Sequence, residues 1–83
     1  MNLRNLLIRN GFMFQATTKD YTRQMTENVV MRCEIANQRI KVFLQFDKIE
    51  GLDEYWDIVY LNSYTPVSFE KLISAFTVIL KLN

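Results

Sequence analysis

The chain has 83 residues, of which 49% are hydrophobic and 23% charged, with two glycines and one proline. This length has room for one domain with one core, and the composition is that of a compact globular protein. The net charge is +1, with eight basic and four acidic residues up to position 48 and two basic and five acidic residues after it. The imbalance is too weak for a dedicated nucleic-acid-binding domain. We expect a single α+β domain over residues 1–83.

The single cysteine excludes an internal disulfide and suits a reducing compartment. The apolar run Leu3 to Ile8 is interrupted by Arg4 and Asn5, and no cleavage site typical of a secretory signal follows it. No apolar run reaches the roughly 18 residues that a membrane span needs. The sequence therefore predicts a cytoplasmic protein with no membrane partner.

The first segment predicts a short amphipathic helix over residues 2–10. Leu3, Leu6 and Leu7 have helical spacing, Asn2 is a suitable N-cap, and Gly11 suits the left-handed position after the helix. A helix this short needs to dock its leucines, because it is too short to be stable alone in water.

The next segment predicts a strand. Phe12 and Phe14 alternate with polar residues, which places an aromatic face inward, and a turn is expected at Lys19-Asp20. Residues 21–28 are polar and leave two alternatives open, namely an extension of the following strand or a mobile connection.

Residues 29–46 predict a β-hairpin turning at Asn37-Gln38, in which the numbers of paired residues sum to 75. One face is apolar: Val29, Met31, Cys33, Ile35, Ile40, Val42, Leu44 and Phe46. The other face pairs Glu34 with Lys41, Arg32 with Phe43 as a cation over a ring, and Val30 with Gln45. A slip by one residue would bury the charged set, so the pattern fixes the register. The turn itself fits either a two-residue or a four-residue loop.

The segment after the hairpin predicts a turn region over residues 47–54 and then a strand over residues 55–62, rich in aromatic and β-branched residues. The spacing of apolar residues over 52–60 also fits a helical stripe, and that alternative stays open.

The last segment predicts a helix with one apolar arc: Phe69, Leu72, Ile73, Phe76 and Leu80. Ser68 is the expected N-cap, and Val67 is expected to pack on Leu72 at the helix start. Val78 and Leu82 lie opposite the main arc, so this helix is apolar in two directions near its end.

These elements predict a two-layer α+β sandwich of order α-β-β-β-β-α. It has a four-stranded antiparallel sheet and both helices on one face. No further element is available to cover the other face. That outer face is where we first look for function.

Catalysis is not indicated. The chain has no histidine, which is the usual general base near neutral pH and the commonest metal ligand. Cys33 is predicted to point inward, where apolar surroundings raise the pKa of a thiol. We expect no enzyme activity, no cofactor and no bound metal.

Five acids lie close together in the sequence at Asp47, Glu50, Asp53, Glu54 and Asp57. Carboxylates can bind Ca²⁺ or Mg²⁺, but these do not follow the spacing of a calcium-binding loop. We interpret them as a solvated acidic turn.

The expected outer face has both basic and apolar residues. Arg32, Arg39 and Lys41 around Phe43 would allow binding of single-stranded nucleic acid by charge and stacking. The apolar side chains of Val30, Phe43, Val59 and Leu61 favour a contact with another protein or a second copy of the chain. We expect a non-enzymatic protein-interaction module, with nucleic-acid binding as the alternative. The predicted partner-binding residues are Arg32, Lys41, Phe43, Val59 and Leu61.

Two short segments resemble known proteins. Leu6-Leu7-x-x-Asn10-Gly11-Phe12 resembles the opening of HicA-type toxins, which are small RNA-cleaving proteins with an α-β-β-β-α fold and a histidine that this chain lacks. The segment from Phe69 to Phe76 is similar to a helix in a small phage-encoded anti-CRISPR inhibitor. That family is strongly acidic and mimics DNA, unlike this chain. These resemblances imply a mixed α/β fold and transfer no site residue. Small proteins of phages and mobile elements often have this profile, so an inhibitor or adaptor encoded by such an element is a further expectation.

Overall fold

The computed structural model of the chain describes residues 2–47 and 56–81. Two helices and five strands lie in the order α1 (Leu3–Arg9), β1 (Met13–Gln15), β2 (Asp20–Thr26), β3 (Val29–Ala36), β4 (Arg39–Asp47), β5 (Trp56–Tyr64) and α2 (Pro66–Ile79). All strand pairs are antiparallel, and the sheet order is β1-β2-β3-β4-β5. The α+β class with a helix before and after the sheet is confirmed, but the prediction of four strands was wrong.

The additional strand is β2, which occupies most of the segment whose structure the sequence left open. Its residues alternate between faces: Thr22 lies opposite Arg32 of β3, whereas Tyr21 lies opposite the buried Cys33. Asp20, expected in a turn, is the first residue of this strand, and Lys19 before it adopts a φ of 58°. The strand was missed because its inward residues, such as Arg23, are not uniformly apolar.

Helix α1 has both of its predicted end signals. The Asn2 side chain accepts a hydrogen bond from the Asn5 N–H at 3.3 Å. At the other end Gly11 has a φ of +88°, and the Phe12 and Gly11 N–H groups donate to Leu7 and Ile8 carbonyls, both at 3.0 Å. This bond pair is a Schellman motif, which requires a left-handed residue at Gly11. The motif turns the chain so that Phe12 enters the core.

The β3–β4 hairpin has the predicted register throughout, from Val29 opposite Phe46 to Ala36 opposite Arg39. The connection is the two-residue form, with φ values of 52° at Asn37 and 60° at Gln38. Positive φ at both central positions is what a type I′ turn needs, and its twist matches that of the strands.

Two β-bulges adjust the sheet. Met25 is the inserted residue between β2 and β3, and Leu61 is the inserted residue between β4 and β5. Met25 is buried, and Leu61 packs against the core. Each bulge therefore adds an apolar side chain on the helix side of the sheet, which plain alternation along the strand does not predict.

Helix α2 begins earlier than predicted. Thr65 is the N-cap, its side chain accepts from the Ser68 N–H, and Pro66 occupies the first turn. Ser68, the expected N-cap, is therefore inside the helix. Proline suits this position because it has no N–H that would need a partner. The expected packing of Val67 on Leu72 does not bury Val67, which is 65% exposed.

The core lies between the sheet and the two helices. It contains Leu6 and Leu7 of α1, Phe69 and Ile73 of α2, and inward residues of the strands, which are Tyr21, Met25, Met31, Cys33, Ile40 and Val42, together with Phe12. The rings of Phe12 and Phe69 join the two ends of the chain, with centroids 5.8 Å apart. Both helices therefore cover the same face, as predicted.

Some predicted inward residues are less covered than expected. Ile35 is 40% exposed and Phe46 37% exposed, because they lie at the two ends of the hairpin, beyond the buried middle. Phe14 lies on the helix side against Tyr21 at the short edge strand and is half-exposed.

Candidate protein-interaction surface

The outer face is the side of the sheet opposite α1 and α2. Strand alternation places on it Met13 and Gln15 of β1, Asp20, Thr22 and Gln24 of β2, Val30, Arg32 and Glu34 of β3, Arg39, Lys41, Phe43 and Gln45 of β4, and Ile58, Tyr60 and Ser63 of β5. No helix of the described chain covers this face. An antiparallel sheet tolerates this arrangement because its two faces can differ in polarity.

An ion pair lies at the middle of the outer face. The Arg32 guanidinium donates from Nε to Asp20 Oδ2 at 2.8 Å and from Nη2 to Asp20 Oδ1 at 3.1 Å. The same group donates to Thr18 Oγ1 at 2.9 Å and to Gln45 Oε1 at 2.8 Å. Thr18 in turn donates its hydroxyl hydrogen to Asp20. The Asp20 carboxylate, although buried, is thus bonded on both oxygens.

This geometry corrects the prediction that Arg32 lies over the ring of Phe43. The two residues are opposite each other in the ladder as predicted, but the guanidinium turns toward β2. A bidentate bond to a carboxylate with little solvent contact is stronger than a contact with an exposed ring. The other predicted charge pair, Glu34 with Lys41, has the expected register, but these two side chains form no ion pair within the described residues.

An aromatic pair lies beside the ion pair. The rings of Phe43 and Tyr60 have centroids 5.2 Å apart with an interplanar angle of 50°. Ile58, next to Tyr60 on the same face, is 57% exposed, and Tyr60 is 51% exposed. A depression of about 150 Å³ separates this apolar group from the ion pair, and it is lined by Asp20, Arg32, Glu34, Phe43 and Ile58. We call Phe43, Ile58 and Tyr60 the outer apolar patch.

The predicted faces of β5 were wrong. Val59 lies opposite Leu44 on the helix side, and Leu61 packs against the core, whereas both were expected on the outer face. The bulge at Leu61 shifts the register so that Phe43 meets Tyr60. Placing Tyr60 outward brings its ring against that of Phe43. Of the five predicted partner-binding residues, Arg32, Lys41 and Phe43 lie on the outer face.

Two outer residues that the sequence interpretation missed belong to this surface, Ile58 and Tyr60. Asp20 was missed as the partner of Arg32, because 12 residues separate the two positions and only the β2–β3 pairing brings them together. A usable signal was present: an acid at Asp20 alternates with Thr22 and Gln24, a polar face that matches Arg32 across a hairpin.

Cys33 is fully buried, and burial, with a smaller contribution from the negative charge of Asp20, raises the pKa of its thiol well above the ordinary value. This side chain is accordingly protonated at neutral pH. Within residues 2–47 and 56–81, no group of three or more acidic, cysteine or histidine side chains is arranged to hold a metal ion. Of the predicted acidic turn, Glu50, Asp53 and Glu54 lie outside the described residues, as does Leu82 of the last segment.

The described helices include none that is long and apolar enough to cross a membrane. Comparison with known proteins found no matching family model, no matching curated protein and no matching solved structure.

Proposed function

We propose that the chain is a non-enzymatic protein-interaction module that binds a partner protein through the outer face of its sheet. The outer apolar patch of Phe43, Ile58 and Tyr60 is the centre of the contact, with Lys41 and Glu34 at its rim. The observation that carries the proposal is an aromatic pair, half-exposed at Tyr60 and partly buried at Phe43, on a sheet face that neither helix covers. Aromatic side chains are enriched at the centres of protein interfaces, where they bury a large area at little entropic cost.

The charge of the outer face favours a protein partner over nucleic acid. Asp20 and Glu34 oppose Arg32, Arg39 and Lys41, so the face is nearly neutral. The guanidinium of Arg32 directs its donors to Asp20, Thr18 and Gln45 rather than to solvent. Nucleic-acid binding needs several cations available to phosphates. The alternative proposal therefore has Lys41 as its main contact, beside Arg39, which donates to Ser63.

The ion pair supports the patch and lines the depression beside it. Its hydrogen bonds link the loop residue Thr18 with strands β2, β3 and β4. These bonds hold in place the part of the sheet that carries Phe43 and Tyr60. A patch held on a rigid sheet loses little conformational entropy on binding. The depression between the two groups has room for one side chain of the partner.

The proposal is tested by affinity capture with the immobilised chain from cells that produce it, comparing Phe43→Glu with Val67→Glu. Val67 is 65% exposed on α2 and serves as the matched control, because it is an apolar residue on the opposite side of the molecule. We expect the partner to be lost with Phe43→Glu and retained with Val67→Glu, at both low and high salt. Retention with Phe43→Glu contradicts the proposal.

The dependence of capture on salt and on nuclease treatment distinguishes a nucleic-acid ligand from a protein partner. If capture falls steeply with salt, disappears after nuclease treatment and is reduced by Lys41→Ala, nucleic acid is the ligand of this face.

A further inference from the structure

Strand β5 is an open edge of the sheet that differs from the opposite edge. Among the described strands it pairs only with β4, and it is nine residues long, whereas the other edge strand, β1, has three residues. Long edge strands are usually blunted by lysine, proline, a bulge or an inward charge. In β5 the charge is Asp57 near the start of the strand, on the helix side, and the bulge is at Leu61. Between them Ile58, Val59 and Tyr60 are each about half-exposed.

Helix α2 has a second apolar stripe on the side that faces this edge. Glu70 accepts from Arg9 of α1, so its side of α2 faces α1. At about 100° per residue, the stripe lies roughly 140 to 180° around the helix from Glu70. Its exposed members are Ser68, Ala75 and Ile79, the last being 71% exposed, and Leu72 between them is partly buried. Their 4-3-4 spacing is that of a helix-packing seam.

We propose that a second copy of this chain binds along β5 and α2, giving a two-fold dimer with a continuous ten-stranded sheet. This surface is centred on the strand edge and α2, and it meets the outer apolar patch only at Ile58 and Tyr60; the inference does not depend on the proposed function. The two-fold axis would run perpendicular to the sheet at Val59, so that Val59 faces the Val59 of the second copy. In this register Ile58 faces Tyr60 on the outer side, and Asp57 faces Leu61 rather than another acid.

The spacing of the layers supports a second copy as the occupant. Helix α2 contacts both β4 and β5, so it lies over the space between them. Adding β5 of a second copy places the two α2 helices about two strand spacings apart, roughly 10 Å. Packed helices lie about 8 to 10 Å apart, and the small side chains of Ser68 and Ala75 permit that approach. A second copy placed by this two-fold axis thus covers the strand edge and the helix stripe together.

The size of the edge suits a weak, reversible dimer. Centred on Val59, the register pairs residues 56–62 of each copy, which is about 23 Å of strand, and the shortest dimension of the molecule is 19 Å. The edge therefore presents roughly 440 Å² per copy, or about 900 Å² in total, which is the size of a weak or transient interface.

The test is sedimentation equilibrium of the chain and three variants, Val59→Lys, Ile79→Glu and the control Val78→Glu. Val78 is adjacent to Ile79 and 78% exposed, but it lines the groove toward α1. We expect the wild-type mass to rise from 9.9 kDa toward twice that value with concentration. Val59→Lys and Ile79→Glu should each weaken association by about tenfold or more, and Val78→Glu should not. A wild-type chain that stays monomeric, or an equal effect of Val78→Glu, overturns the proposal.

A second measurement tests the register. In a dimer centred on Val59, the variant Val59→Cys places two thiols across adjacent strands and should form a disulfide-linked dimer on mild oxidation, whereas Val78→Cys should not. Equal cross-linking of both variants overturns the proposed geometry. Met13→Glu separates this dimer from one that stacks outer faces, because Met13 is 69% exposed on the outer face at the far edge. If Met13→Glu abolishes the dimer, the edge is not the interface.

Discussion

At the scale of single residues, the outer face depends on one ion pair between a nearly buried carboxylate and a mostly covered guanidinium. The side chain of Asp20 is 7% exposed and that of Arg32 20% exposed. Removing one partner of such a pair leaves the other charge without compensation, which costs more than the pair itself contributes. Arg32 is therefore a structural residue of the outer face.

This assignment gives the first prediction. Arg32→Ala should lower the free energy of unfolding by about 2 to 4 kcal/mol, because Asp20 loses two charge-assisted bonds while remaining covered. Lys41→Ala, an exposed cation on the same face, should change it by less than about 0.5 kcal/mol. Urea denaturation of both variants measures the difference. An Arg32→Ala variant as stable as Lys41→Ala would mean that the guanidinium is available to a ligand.

Cys33 gives a second prediction at this scale. Its thiol pKa is raised by burial in the folded chain, whereas the unfolded chain releases the proton above about pH 8.5. The unfolded state then binds fewer protons than the folded state, so stability is complete below that pH and falls above it. We expect the difference in unfolding free energy between wild type and Cys33→Ala to shrink by about 1.4 kcal/mol per pH unit above about pH 8.5. A difference that is constant from pH 8 to 10 would contradict the burial of this thiol.

At the scale of elements, local sequence signals explain both ends of α1 and the β3–β4 hairpin. Each depends on contacts between residues close in the chain, and each was predictable. The Schellman motif at Gly11 and the turn at Asn37-Gln38 both place residues at positive φ. They differ in one respect: glycine is present at the first and glutamine at the second.

The turn gives a third prediction. Gln38 has a φ of 60°, which costs a residue with a Cβ about 1 kcal/mol, whereas glycine adopts it freely. Gln38→Gly should therefore stabilise the chain by about 0.5 to 1 kcal/mol. Gln38→Ala keeps the strain and controls for loss of the side chain, so its thermal midpoint should not rise. An equal rise in both variants would show that the backbone of this turn is not strained.

The elements that sequence reasoning missed depend on long-range contacts. Strand β2 is polar on one side because Asp20 pairs with Arg32 across the sheet, and Arg23 on the other side donates to the Asn10 carbonyl rather than being apolar. The faces of β5 depend on the bulge at Leu61, which no local pattern marks. Alternation alone therefore placed Val59 and Leu61 on the outer face and Ile58 and Tyr60 on the inner face.

At the scale of the whole molecule, the two helices and the outer apolar patch lie on opposite sides of one sheet. The helix side of the sheet is packed by the buried core residues Leu6, Leu7, Phe69 and Ile73, which stabilise the fold. The outer side is not covered by the described helices, and we propose that it binds the partner. If the chain also dimerises along β5, the two-fold axis perpendicular to the sheet would turn both outer patches to the same side, giving one wide surface for the partner.

The most direct measurement is photo-crosslinking in cells that produce the chain, with a photoreactive amino acid replacing Phe43 in one variant and Val67 in another. The account predicts adducts with another protein from position 43, resistant to nuclease, and none of these from position 67. Identical adducts from both positions, adducts removed by nuclease, or adducts from position 43 with a second copy alone would contradict the outer face as a site for a partner protein.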